Sequence, residues 1–156
     1  MKLFLSYSLS PTDYQVASLL ARQAQNKGII VESSQHQPFV AVNSLEVTRQ
    51  AISTSDFVIA IVSLDSQFAI HVQQELKVAA SLNRPCLALV ERGGYPIQQI
   101  PGVQYVEFSR YDIGPALAHI SDILEMKKNQ GILNKWVLGG ALALFALYLI
   151  SRSGDK

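Results

Sequence analysis

Three histidines, one cysteine and twelve acidic residues are the groups with which this 156-residue chain could do metal, nucleophilic or acid–base chemistry. His36, His71 and His119 lie far apart and show no metal-ligand spacing, so no metal site is expected. Cys86 stands alone, which excludes an intrachain disulfide and a cysteine-rich zinc site and points to a reducing compartment. No glycine-rich loop follows the first apolar run, and no Gly-x-Ser-x-Gly elbow occurs anywhere. A P-loop, a dinucleotide fingerprint and a serine-hydrolase elbow are thereby excluded. Gly93-Gly94-Tyr95-Pro96 reads as a turn, and Arg49, Arg84 and Arg92 read as solvated. Asp65 follows a strongly apolar stretch, where a phosphoacceptor would stand. Its magnesium site would need an acidic pair after the first strand, and Ser6, Tyr7 and Ser8 stand there instead. What remains at the ends of the apolar runs is Tyr7, Ser8, Asp65 and Ser66. The last two suit a helix cap as well as a ligand.

The elements that must position these groups alternate strand and helix. Lys2–Tyr7 reads as a strand, and Asp13 opens a helix with Val16, Leu19, Leu20 and Ala24 at helical spacing, stopped at Gly28. Ile29-Ile30-Val31 is a β-branched strand, followed by a polar loop over 33–43 and a short helix from Asn43 or Ser44 through Ser53. Residues 56–63, DFVIAIVS, are apolar without alternation, as in a strand buried on both faces. A helix is expected from about Ser66 to Leu82, strands over 85–90 and 103–108, and a last helix from Ile113 to Lys128. Five strands alternating with helices predict an α/β fold. The expected form is a five-stranded parallel, flavodoxin-like sheet in the order 2-1-3-4-5. Ligands of such sheets bind beyond the carboxyl ends of the strands, here after Tyr7, Glu32 and Ser63.

The composition is unusual in one respect. Hydrophobic residues make up 49% of the chain and charged residues only 16%, well below the roughly 25% of an ordinary soluble domain. A net charge of +1 excludes a basic nucleic-acid surface, and the apolar content excludes disorder. The surplus is concentrated at Trp136–Ile150, WVLGGALALFALYLI, which has no charged residue. That stretch rises about 22 Å as a helix. Starting at Ile132, with Lys135 snorkelling, the run reaches about 28 Å, close to a bilayer core. We therefore expect residues 1–128 to form the α/β domain and 129–135 a linker. A single-pass transmembrane helix follows over 132–151, then a polar tail over 152–156. Lysines before the span and the lack of a leader favour a cytoplasmic N-terminal domain. Gly139 and Ala143 offer small-xxx-small spacing for helix association.

One pattern covers residues 2 to 125. Phe4-Leu5-Ser6-Tyr7-Ser8, with Asp13 and a helix ending at Gly28, resembles the first box of a TIR (Toll/interleukin-1 receptor) domain. Residues 33–43 fall where that family has its BB loop. The stretch 53–63 resembles its helix-to-strand segment, and Gln74–Ala80 is similar to its Glu-Leu-x-x-Ala helix. In TIR domains that cleave NAD a glutamate on this helix is catalytic, and Glu75 stands at the matching position. A carboxylate there can stabilise or trap the oxocarbenium-like charge formed when ribose and nicotinamide separate. Without the resemblance, Glu75 reads as a solvated helix residue. His71 replaces the aromatic residue often found four positions earlier in the family. Tyr7, Ser8, Phe39, Ser66 and His71 are the implied substrate contacts.

The resemblance implies NAD as a substrate and no bound cofactor. Its first functional expectation is a membrane-anchored NAD glycohydrolase or ADP-ribose-signal synthase in immune or cell-death signalling, active on self-association. The alternative is a non-enzymatic module that assembles with other TIR domains through Pro38 and Phe39 of the BB loop. A nucleoside deoxyribosyltransferase-like fold, which also sets a glutamate in a parallel α/β site, is a third and remoter option.

Overall fold

The computed structural model describes residues 1–33, 44–66, 69–93 and 99–130. Its elements run β1 (Lys2–Ser6), α1 (Pro11–Asn26), β2 (Ile30–Ser33), α2 (Ser44–Thr54), β3 (Phe57–Val62), α3 (Ile70–Ser81), β4 (Cys86–Glu91), β5 (Val103–Phe108) and α4 (Gly114–Gln130). The strands form one parallel sheet in the order β2-β1-β3-β4-β5, as the alternation of elements predicts.

The period of two along each strand divides the core into two layers. Leu3, Leu5, Ile59, Ile61, Leu87 and Leu89 pack with α1 and α4 on one face. Phe4, Val58, Ala60, Val62, Cys86 and Ala88 pack with Ile52 of α2 and Val72, Leu76 and Ala79 of α3 on the other. All six residues of β3 are buried, which accounts for its unbroken apolar sequence. Burial pushes the Cys86 thiol up to about 11, so it stays protonated and unreactive at neutral pH.

Local chemistry sets the element boundaries. Ser10 caps α1 by accepting from the Asp13 amide at 3.2 Å, and Pro11 takes the first helical position. The helix thus starts two residues before Asp13. At its other end Gly28 adopts φ +70°, a conformation that side chains disfavour, and turns the chain into β2. α3 begins at Ile70 rather than Ser66, because the Ser66 hydroxyl is engaged by the preceding turn. Ser66 is therefore not a helix cap. α4 continues to Gln130, two residues past the expected end of the domain.

Pro38 and Phe39 of the polar loop, the turn at Gly94–Pro96, and the 132–151 segment with Gly139 and Ala143 lie outside the described residues. Among the described residues no helix is long and apolar enough to cross a membrane.

Candidate active site

β1 ends at the carboxyl edge of the sheet with Ser6, which shares the face of Phe4 and so points toward α3. Its hydroxyl is fully buried and donates to Glu75 Oε2. Glu75 is in turn carried inward by the stripe Val72, Leu76 and Ala79, with which it shares one helical face. Only 3% of Glu75 is exposed. The reading of Glu75 as a solvated helix residue is thus overturned. A carboxylate is costly to bury unless hydrogen bonds compensate it, and the Ser6 donor is one such compensation. His71 lies one turn earlier on the same face and is half-buried.

A second carboxylate ties β1 to β3. Asp13, in the first turn of α1, is fully buried. Its Oδ2 accepts from the Ser8 hydroxyl at 2.7 Å and the Ser8 amide at 3.3 Å, and its Oδ1 accepts from the Ser63 amide at 3.2 Å. The Ser63 amide is shared with the Ser66 hydroxyl at 3.0 Å. Ser8 Oγ also accepts from the Ser10 amide at 3.1 Å. The one proton of the Ser8 hydroxyl is therefore directed at Asp13. Toward a substrate phosphate Ser8 could donate only by giving up that bond.

A third group of charges fixes the turn after β3 from its other side. Arg110, just past β5, binds Glu91 at the end of β4 through Nε and, at 2.9 Å, Nη2. Nη2 also reaches Asp65 at 3.3 Å, which accepts from the Thr12 hydroxyl at 2.6 Å. The Leu64 amide donates to Glu91 at 2.8 Å. The Arg110 guanidinium holds the Glu91 carboxyl below the usual range, helped by the Leu64 amide. The Thr12 hydroxyl and then Arg110 do the same for Asp65. Carboxyls with lowered pKa in the folded state add stability above their unfolded values of about 4, and that stability is lost as pH falls through the folded values. Arg110→Ala is accordingly expected to lower the melting temperature at pH 7. In melts run as a pH series, the gap from wild type should narrow below about pH 4.

The structure thus gathers Ser8 and Ser66 into one hydrogen-bonded cluster and sets His71 beside Glu75. It does not bring Tyr7 to either. Tyr7 packs with the α1–α4 core layer, on the face opposite Ser6. Ser6, Asp13, Ser63, Glu91 and Arg110 join the carboxyl edge without being marked as site residues by the sequence. Asp13 had a local signal, the Ser-x-x-acidic spacing from Ser10 that marks a helix start. Glu91 is a charge ending an apolar strand, whereas Arg110 carries no local signal at all.

A pocket of about 180 Å³ opens between α1 and the β5–α4 turn, lined by Thr12, Gln15, Leu19, Arg110, Tyr111 and their neighbours. It is below the usual size of ligand sites, and Glu75 does not line it. Among the described residues no group of three or more His, Cys, Asp or Glu could hold a metal ion.

The arrangement is that of a parallel α/β domain with a buried carboxylate at the carboxyl edge of its sheet. No protein-family model matches the chain, and no characterised protein matches its sequence. Among solved structures, the CMP N-glycosidase of Clostridium botulinum is similar with a TM-score of 0.55 and 14% identity, over 77% of this chain and 98% of that one. A candidate quinone reductase from Klebsiella pneumoniae is similar with a TM-score of 0.53 and 13% identity, over 85% of each chain. At these identities the likeness is one of fold.

Proposed function

We propose that this chain is a membrane-anchored enzyme of the TIR type that cleaves the N-glycosidic bond of NAD, with Glu75 as its catalytic carboxylate. The observation that carries the proposal is the Glu75 carboxylate, 3% exposed and held by the Ser6 hydroxyl at the carboxyl end of β1. Parallel α/β sheets bind ligands at that edge. In the reaction the bond from C1′ of the ribose to the nicotinamide nitrogen breaks, and its electron pair leaves with nicotinamide. Positive charge grows on C1′ and the ring oxygen. Glu75 stabilises that charge or bonds to C1′, and water or a hydroxyl of the same nucleotide then completes the transfer. Self-association, a cytoplasmic placement of the domain and anchoring through residues 132–151 belong to the same reading. Anchoring raises the effective concentration of weakly associating domains.

The fold shared with a CMP N-glycosidase supports glycosidic cleavage as the chemistry and favours a second substrate class, nucleoside monophosphates. The 156-residue chain reconstituted and clustered in lipid, supplied with NAD and CMP in parallel, distinguishes the two by whether nicotinamide or cytosine is released. If neither is released, the non-enzymatic assembly module becomes the better reading.

Ser6 acts in this scheme as a positioning residue for Glu75. Ser6→Ala is expected to lower kcat about tenfold with KM unchanged, because the hydroxyl orients the carboxylate without touching substrate. Ser6→Thr, which keeps the donor, should recover most of the loss. Equal losses in both variants, accompanied by lower melting temperatures, would assign Ser6 a packing role only.

A further inference from the structure

Helices in this sheet run against their strands, so α4 ends at the amino edge, opposite Ser6 and Glu75. Several cations collect where it ends. Lys128 Nζ donates to the Lys27 carbonyl, at the end of α1. A side chain at Gly28 would stand 3.6 Å from the same ammonium. Lys127 lies over the Phe57 ring, 5.1 Å from its centre, at the start of β3. The Met1 amino group and Lys2 occupy the same edge at the start of β1. Carboxylates offset part of this charge: Glu125 pairs with Lys27 at 2.7 Å, Glu32 with Lys2 at 2.8 Å, and Asp56 lies 4.0 Å from the Met1 amino group. Lys128 is bound to a neutral carbonyl, so its charge is not cancelled by that contact. Met1, Lys2, Lys27 and Lys128 set four positive charges at this edge against the three carboxylates Glu32, Asp56 and Glu125, an excess of one.

In sequence, five residues separate Gln130, the last residue of α4, from the apolar run that starts at Trp136. From Gln130 to Trp136 the chain can span at most about 22 Å when fully extended, and Lys135 lies within that stretch. Lys27 and Lys128 are thereby tethered within a short distance of whatever surface the run enters. Electrostatic attraction acts over about 8 Å at physiological salt, and the tether allows the edge to come within that distance of the surface. Negatively charged headgroups would gain favourable contact with each lysine that reaches them.

We infer that the amino edge of the sheet, through Lys27 and Lys128, docks on anionic lipid headgroups, so that the Glu75 edge faces away from the membrane. The inference rests on the anchor reading of residues 132–151. It gives the anchored domain a fixed orientation, with its site open to a soluble nucleotide about one strand length, roughly 20 Å, above the docked edge.

The test uses the full chain in nanodiscs of phosphatidylcholine alone or enriched in phosphatidylglycerol. Trp136 is the only tryptophan, so its quenching by bromine-labelled acyl chains reports the anchor by itself. Acylation of lysine amines, followed residue by residue by mass spectrometry, reports the docked edge. Lys27 and Lys128 are expected to react about fivefold more slowly in the anionic discs, with the difference removed by high salt. If Trp136 is quenched but both lysines react equally in the two lipids, the docking is refuted and the anchor stands. An unquenched Trp136 overturns the anchor, and the docking inference falls with it.

Discussion

Glu75→Gln is expected to cut base release by at least about a thousandfold while leaving the fold intact. Glutamine matches glutamate in size and shape, and its amide oxygen can still accept from the Ser6 hydroxyl. What it lacks is the negative charge. In a water-excluded site that charge opposes the positive charge growing on the ribose, and one such electrostatic contact is worth about a hundred- to a thousandfold in rate. Losing the nucleophile in a covalent route would add further to the deficit. Substrate binding should change far less than turnover, because the ribose carries little of that charge before the bond breaks. Circular dichroism and a thermal melt check the fold; single-turnover release of base checks the rate.

The second large effect is on stability. Asp13→Ala is expected to destabilise the domain by about 3 kcal/mol, lowering its melting temperature on the order of 10 °C. The fully buried carboxylate accepts from the Ser8 hydroxyl, the Ser8 amide and the Ser63 amide, so its removal leaves several buried donors without this partner. Ser63 retains the Ser66 hydroxyl and is the less affected. Loss of the Ser10 cap by Ser10→Ala should cost only about 1 kcal/mol, since that site is partly open to water. Comparing the two variants by denaturant melts separates the bridging role of Asp13 from ordinary helix capping. Because the bridge joins the ends of β1 and β3, Asp13→Ala should also increase hydrogen exchange in the turn at residues 63–66.

Much of this architecture is legible in the sequence because it follows from local periodicity. The unbroken apolar run at 57–62 announces a central strand, and the helical stripes of α1 and α4 announce covering layers. Short crossovers leave the order 2-1-3-4-5 as the natural one. The carboxyl edge is far less legible, since its bonds join residues remote in sequence. Nothing near Ser6 indicates that it will meet Glu75, and nothing near Arg110 indicates Glu91. These partners are set by sheet register and strand order, which decide what lies at each strand end. The start of α3 differs from its expected position for a local reason. A serine before an apolar stripe suggests a cap at residue 66, yet its hydroxyl accepts from the Ser63 amide within its own turn, and α3 begins at Ile70. Glu75 is singled out only by the TIR resemblance, because its helix shows no acidic pattern that distinguishes a buried carboxylate from a solvated one.

The central claim is that Glu75 breaks an N-glycosidic bond. Its most direct test is the product profile of wild-type and Glu75→Gln protein, each reconstituted in lipid, clustered, and incubated with NAD and with CMP. We expect free base and the matching ribosyl product from wild type with at least one of the two nucleotides, and at least about a thousandfold less from Glu75→Gln. Equal release by both proteins, or intact nucleotides with folded wild type, would contradict the account.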